Sequence, residues 1–203
     1  MLTCTPGKRS RWTYDFLRRT TRDLPERGRI GICNRFYHEE VLIARVHPEI
    51  LQGKRLPKEA HVAAHGGKAV WHDPYHSTRD LERHLGRNGT QVVKFFLHLS
   101  KEEQGRRFLD RIDDPDRNWK FSAADVAERN FWKDYMTACE DCLGATSTAE
   151  APWHVAPAGD KDSARLIISG IVLDTLEGLG GQYPKRSDAR RDELQAIRKH
   201  LAD

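Results

Sequence analysis

The strongest apolar pattern in the chain is the nearly continuous run Val92-Val93-Lys94-Phe95-Phe96-Leu97, within the segment from Gln91 to Leu97. A strand exposed on one face would alternate, so this run predicts a parallel β-strand covered on both faces. Two shorter runs predict further strands. One is Arg29-Ile30-Gly31-Ile32-Cys33-Asn34, which follows a turn at Pro25-Glu26-Arg27-Gly28. The other is Trp153-His154-Val155-Ala156. Helical spacing fills the intervals. It is weak from Tyr14 to Leu24, and Val41, Leu42 and Val46 mark one side of a helix after Asn34. Ser77-Thr78-Arg79-Asp80 predicts the cap of a helix that runs to about Leu85 and stops at Arg87-Asn88-Gly89. Ser100-Lys101-Glu102-Glu103 is a capping box ahead of Gln104, Phe108 and Ile112. Ser122-Ala123-Ala124-Asp125 predicts the start of a long helix with Val126, Phe131, Tyr135 and Cys139 near one face. Ala164 to Leu176 predicts a strongly apolar helix. Arg190 to Leu201 predicts an amphipathic one, whose Leu194, Ile197 and Leu201 face either their own domain or a second subunit. Strands alternating with helices predict an α/β fold with a mostly parallel sheet.

Composition narrows this picture only a little. A chain of 203 residues suits one domain with a core. The formal net charge of +4, from 34 Lys and Arg against 30 Asp and Glu, suits an anionic partner, and an ordinary solvated surface has the same balance. No recognised nucleic-acid motif accompanies it, so no specific nucleic-acid partner is expected. Cys4, Cys33, Cys139 and Cys142 give no disulfide framework, and the Cys139/Cys142 pair on a helix reads as core packing rather than redox chemistry. The stretch from Gln52 to His76, rich in Gly, His and Pro, predicts a loop. Its His61, His65, His72 and His76, with His47 before them, fit no ligand spacing and read as surface histidines. No apolar run is long enough to span a membrane and no signal peptide opens the chain, so the expected compartment is the cytoplasm, with no membrane partner.

Three stretches carry a family pattern. The first runs from Leu24-Pro25-Glu26-Arg27-Gly28-Arg29-Ile30-Gly31-Ile32 into Asn34-Arg35-Phe36-Tyr37-His38-Glu39-Glu40-Val41-Leu42 and Arg45-Val46-His47-Pro48-Glu49. The second is Asn88-Gly89-Thr90, then Lys94-Phe95-Phe96-Leu97-His98, Ser100-Lys101-Glu102-Glu103-Gln104 and Arg107-Phe108. The third is Asn118-Trp119-Lys120-Phe121-Ser122-Ala123-Ala124-Asp125, with Trp132, Tyr135 and Ala145-Thr146-Ser147-Thr148 downstream. From about Asp15 to Tyr183 the chain resembles the polyphosphate kinase-2 family, P-loop kinase folds that move phosphoryl groups between inorganic polyphosphate and nucleotides. The resemblance implies polyphosphate and ADP or AMP as partners and magnesium as cofactor. It implies that Arg35 contacts phosphate and that Asn34 occupies the Walker B-like position near the metal. Glu39 and Glu40 orient the nucleotide or the metal, or simply form a solvated helix start. Arg107, Arg111, Arg117 and Lys120 flank residues 110–125, which in the family act as a lid over the phosphates. Arg forks suit phosphate oxygens, although Asp110, Asp113, Asp114 and Asp116 nearly cancel these cations. Lys94 faces either the site end of its strand or the packing behind it. Three residues depart from the family pattern: Phe36 where Ser is usual, Arg18 where an aromatic is usual, and His38.

A P-loop kinase also needs G-x-x-x-x-G-K, whose backbone N–H groups and Lys cradle phosphate. The Gly-Lys pairs here are Gly7-Lys8, Gly53-Lys54 and Gly67-Lys68, and the required first Gly falls on Leu2, Pro48 and Val62. No pair completes the motif. The expected organisation is therefore a non-matching stretch 1–13, a polyphosphate kinase-2-like domain 14–183 lacking the Walker A loop, and a C-terminal amphipathic helix 184–203. The expected fold is a partial P-loop kinase-like three-layer sandwich, with about three remaining strands flanked by helices. The expected activity is polyphosphate:nucleotide phosphotransfer. The alternative is a catalytically inactive truncated remnant, or a non-catalytic partner of an intact paralogue.

Overall fold

In the computed structural model, residues 16–34, 36–48, 71–183 and 185–202 are described, apart from the side chains of Arg19 and Lys120. The run that ends at Leu97 forms strand β1, Lys94–His98, and the later short run forms β2, Trp153–Pro157. They pair in parallel, from Lys94 opposite Trp153 to His98 opposite Pro157. The Ala158 amide extends the ladder by donating to His98 O at 2.7 Å. Parallel neighbours require a long crossover. It is supplied by α4 (Lys101–Asp113), a 3-10 turn at Asn118–Lys120, α5 (Ala123–Glu128), a 3-10 turn at Arg129–Phe131 and α6 (Trp132–Thr146). Before β1 lie α1 (Arg18–Arg22), α2 (Tyr37–Val46) and α3 (His72–Arg87). After β2 lie α7 (Lys161–Gly178) and α8 (Asp188–Ala202). The result is the expected α/β architecture, rich in helix around a small parallel sheet.

The apolar core sits among helices. Val41 and Ala44 of α2 meet Trp71, Tyr75 of α3 and Cys142 of α6, with Phe16, Leu42 and Ala145 packed against them. Arg45 binds these same helices at the rim, donating to the Tyr75 hydroxyl at 3.0 Å and pairing with Asp141. Residues through Ala164 form one compact unit and those from Arg165 a second. In the second unit, Gly180 closes α7 with φ +62°, a left-handed conformation that Gly adopts without steric cost, and its amide donates to Glu177 O.

Three elements differ from expectation. Arg29–Asn34 is not a strand: among the described residues β1 pairs only with β2, and a strand without a ladder partner has nothing to hold it. The segment instead turns at Gly28 (φ +75°), with the Arg29 amide on Glu26 O, and passes so close to Pro25 that a Cβ on Gly31 would lie 3.1 Å from its ring. Ile30 and Ile32 are left 75% and 67% exposed. Helix α3 starts at His72 rather than Ser77. Pro74 is tolerated there because first-turn amides have no intrahelical acceptor. Its buried stripe is Tyr75, Thr78, Glu82 and Leu85, a helical period hidden in sequence because two of its members are polar. The long helix expected from Ser122 is broken at Arg129–Phe131, where Arg129 reaches across to Lys101 O and Gln104 Oε1 in the first turn of α4.

Candidate functional site

Helix α2 carries the first group of candidates. Asn34 is exposed at a bend just ahead of it, and Arg35 lies outside the described residues. Phe36 takes extended backbone as the N-cap and leans on Tyr37, ring centroids 4.1 Å apart. Glu39 and Glu40 fall in the first turn, where carboxylates complement the helix dipole. Glu39 is half-buried and Glu40 only 5% exposed, so Glu40 does not belong to a solvated helix start.

Helix α4 carries the second group. Ser100 caps it by accepting from the Glu103 amide at 3.1 Å, but the capping box stays half-made because the Glu103 carboxylate turns to arginines. Arg106 and then Arg107 hold that carboxyl down at about 2. Arg107 points to the end of the sheet rather than to solvent: Nε donates to Glu103 at 2.8 Å, and Nη2 donates to Ala158 O at 2.6 Å and Gly159 O at 3.2 Å. Arg107 is thereby a clamp on the turn that follows β2. Arg111, one helical turn on, is exposed. Arg117 pairs with Asp114, and Arg106 with Asp110 at 3.1 Å. Lys120 closes the 3-10 turn, and its side chain lies outside the described set. Beside it Trp119 is 72% exposed, its indole N–H donating to Asp116 O, while Phe121 packs edge-on against Phe108 of α4 at 5.4 Å. Two of the four acids read from sequence, Asp110 and Asp114, are thus paired with arginines.

A third group was not anticipated as a unit. Lys94 opens β1, at the amino end of the strand and away from the carboxyl end where open α/β sheets bind ligands. It is 5% exposed, so it belongs to the packing. Its ammonium donates to Glu82 Oε2 and to Thr146 O, both at 2.7 Å, and sits 5.2 Å from the Trp153 ring centroid. Glu82 Oε1 accepts the Tyr37 hydroxyl at 2.7 Å and lies 3.4 Å from His38 Nε2. The Thr146 hydroxyl donates to Cys142 O and accepts the Trp153 indole N–H at 2.8 Å. All of these polar residues are nearly or fully buried. Burial, with Lys94 nearby, drops the His38 imidazole to about 3 and keeps it neutral. Burial also pushes the Glu82 carboxyl up and the Lys94 ammonium down, each opposed by its bond to the other. Tyr37 is raised by burial and then by Glu82. The signal available in sequence was weak: a lone Lys in an apolar strand, and a Glu seven residues after Tyr75 on the stripe of α3.

The cysteines and histidines add little chemistry. Cys142 is fully buried and its thiol is pushed up to about 11 by burial, while Cys139 is raised for the same reason, as suits packing residues. His72 and His76 approach at 3.1 Å between Nε2 atoms, with Arg79 against His76. Among the described residues no group of three or more His, Cys, Asp or Glu converges to hold a metal ion. Asn34, one neutral oxygen at an exposed bend, makes no metal cage by itself. Among the described residues, no helix is long and apolar enough to cross a membrane.

A family model described as polyphosphate kinase 2 matches residues 4–183. The ADP-polyphosphate phosphotransferase of Rhodopseudomonas palustris is 57% identical over 188 residues, covering 93% of this chain and 64% of that protein. The AMP/ADP-polyphosphate phosphotransferase of Meiothermus ruber is 37% identical over 175 residues, 86% of this chain and 60% of that protein. Among solved structures, polyphosphate kinase 2 from Arthrobacter aurescens TC1 superposes with a TM-score of 0.81 at 34% identity, covering 97% of this chain and 64% of that one. The chain thus spans less than two thirds of the length of these relatives.

Proposed function

The chain belongs to the polyphosphate kinase 2 family, and from that premise we propose that it serves phosphoryl transfer between inorganic polyphosphate and ADP or AMP in the cytoplasm. The observation that carries the proposal is the 57% identity to an ADP-polyphosphate phosphotransferase across 93% of the chain. Phosphoryl transfer needs positioned cations and donors around a polyanion, with little covalent help from protein. In this reading Asn34 and Arg35, ahead of α2, meet the transferred phosphoryl group. Glu39 and Glu40 in the first turn orient the nucleotide. Arg111, Arg117 and Lys120 of the lid 110–125 accept polyphosphate, and Arg117 exchanges Asp114 for a phosphate oxygen. Arg107 shapes the turn after β2 from behind. The described residues do not form a magnesium cage, so magnesium fits here as part of the phosphate substrate, which supplies most of its oxygen ligands.

A second reading is favoured by one observation: no G-x-x-x-x-G-K occurs within these 203 residues. In it the chain is a truncated remnant without the Walker A loop, or a non-catalytic partner of an intact paralogue. Purified chain incubated with magnesium, polyphosphate and ADP or AMP separates the two. The first reading expects a more highly phosphorylated nucleotide, formed only when polyphosphate is present and lost in Arg35→Ala. Wild type no better than Arg35→Ala supports the second.

A further inference from the structure

We infer that Glu82 is a positioning residue for the bend at Asn34 ahead of α2, acting through Tyr37 and held in place by Lys94. The inference rests on the role proposed above for that bend. Glu82 lies in the middle of α3, Lys94 at the start of β1 and Tyr37 at the start of α2, and one carboxylate joins all three, through Oε2 to Lys94 and Oε1 to Tyr37, each at 2.7 Å. Tyr37 is 2% exposed, and its ring supports Phe36, the residue next to Arg35. His38, the following residue, also lies against the pair: its Nε2 is 3.4 Å from Glu82 and its ring is edge-on to Trp153 at 4.8 Å. Of the two residues that follow Phe36, Tyr37 is therefore hydrogen-bonded to the buried ion pair and neutral His38 packs beside it.

Stability alone does not call for that arrangement. A buried ion pair gains little over an apolar pair of the same volume, because desolvation offsets most of the attraction. The apolar cluster of Val41, Ala44, Tyr75 and Cys142 shows that these same helices already pack by apolar contact. What the carboxylate adds is direction. Its two oxygens fix the angle at which the first turn of α2 leaves the preceding bend, and apolar packing tolerates sliding there. Phosphoryl transfer depends on such placement, since a small misplacement of the reacting groups lowers the rate steeply.

The test is the double variant Glu82→Met with Lys94→Met, which keeps the volume and removes both charges. Because the buried Tyr37 hydroxyl and Thr146 O lose their partners, the expected result is a folded variant with a lowered melting temperature and a loss in kcat on the order of 10²-fold. KM for polyphosphate should change by no more than about threefold. Hydrogen exchange over Phe36–Ala44 should quicken by about tenfold while β1 and β2 exchange as before. Tyr37→Phe, which deletes one hydroxyl, should shift both readouts in the same direction by less, and it carries the test if the double variant does not fold. Wild-type kcat, or wild-type exchange over Phe36–Ala44, in a folded variant overturns the inference. If the wild type transfers no phosphate, the proposed function fails separately, and the exchange comparison still decides the role of Glu82.

Discussion

Lys94→Met removes one half of the buried pair and leaves the other in place. The ammonium makes two charge-assisted hydrogen bonds of 2.7 Å, to Glu82 and Thr146 O, and stands 5.2 Å from the Trp153 ring centroid. Bonds to charged groups contribute about 1.5–3 kcal/mol each, and a desolvated cation–π contact about 1–2 kcal/mol. Methionine fills the space of the lysine stem and regains part of this by apolar burial. The Glu82 carboxylate, 3% exposed, then keeps the Tyr37 hydroxyl but no cation. Leaving a buried charge unpaired costs about 3–5 kcal/mol, so the expected loss is about 3 kcal/mol near neutral pH. Urea unfolding followed by tryptophan fluorescence measures it, with an unchanged m-value as the sign that the unfolded state is unaltered. The pH dependence gives a second check. Burial raises the Glu82 carboxyl, and the Lys94 bond is the largest effect opposing that rise. Without Lys94 the folded-state value rises further above the unfolded one. A carboxyl raised in this way adds stability that is full below its unfolded pKa and is lost as pH climbs through its folded pKa. The deficit of Lys94→Met should thus be greatest above the folded value and shrink as pH falls toward the ordinary carboxylate range. A loss below about 1 kcal/mol at neutral pH, or one that grows on acidification, would refute the reasoning.

Three further outcomes follow from single contacts. Arg107→Ala should lower stability by about 2 kcal/mol in the same unfolding assay, because the guanidinium bonds to Glu103 and to the carbonyls of Ala158 and Gly159 disappear together. Ser100→Ala should lose about 1 kcal/mol through the missing acceptor for the Glu103 amide, and Ser100→Asp should restore it, as a thermal melt will show. Titration with a thiol reagent at pH 8 should label exposed Cys33 quickly and Cys142 only on unfolding, since Cys142 is inaccessible and its thiol is raised to about 11.

The α/β pattern and the place of the β1 and β2 strands were legible because a continuous apolar run and a short aromatic run leave few alternatives. The Ser100 and Ser122 caps were legible too, each side chain accepting a backbone amide in its own first turn. Arg29–Asn34 misled because apolar content signals burial in a sheet and says nothing about whether a neighbouring strand is there to pair. The start of α3 was hidden by Pro74, which reads as a breaker in sequence and is harmless in a first turn. The candidate site residues were named mainly through family resemblance. Residue type identified Arg107 and Arg117 as cations but not that carbonyls and Asp114 engage them. The Glu82–Lys94–Tyr37 cluster was illegible because its members lie 12 and 45 residues apart, and only the packing of α2, α3 and β1 brings them together.

The most direct test of the central claim is transfer itself: nucleotide product formed by the purified, folded chain from polyphosphate, magnesium and ADP or AMP, compared with Arg35→Ala. The account predicts product that requires polyphosphate and magnesium and falls to background in the variant. A folded chain whose product formation equals that of Arg35→Ala at every polyphosphate concentration would contradict it.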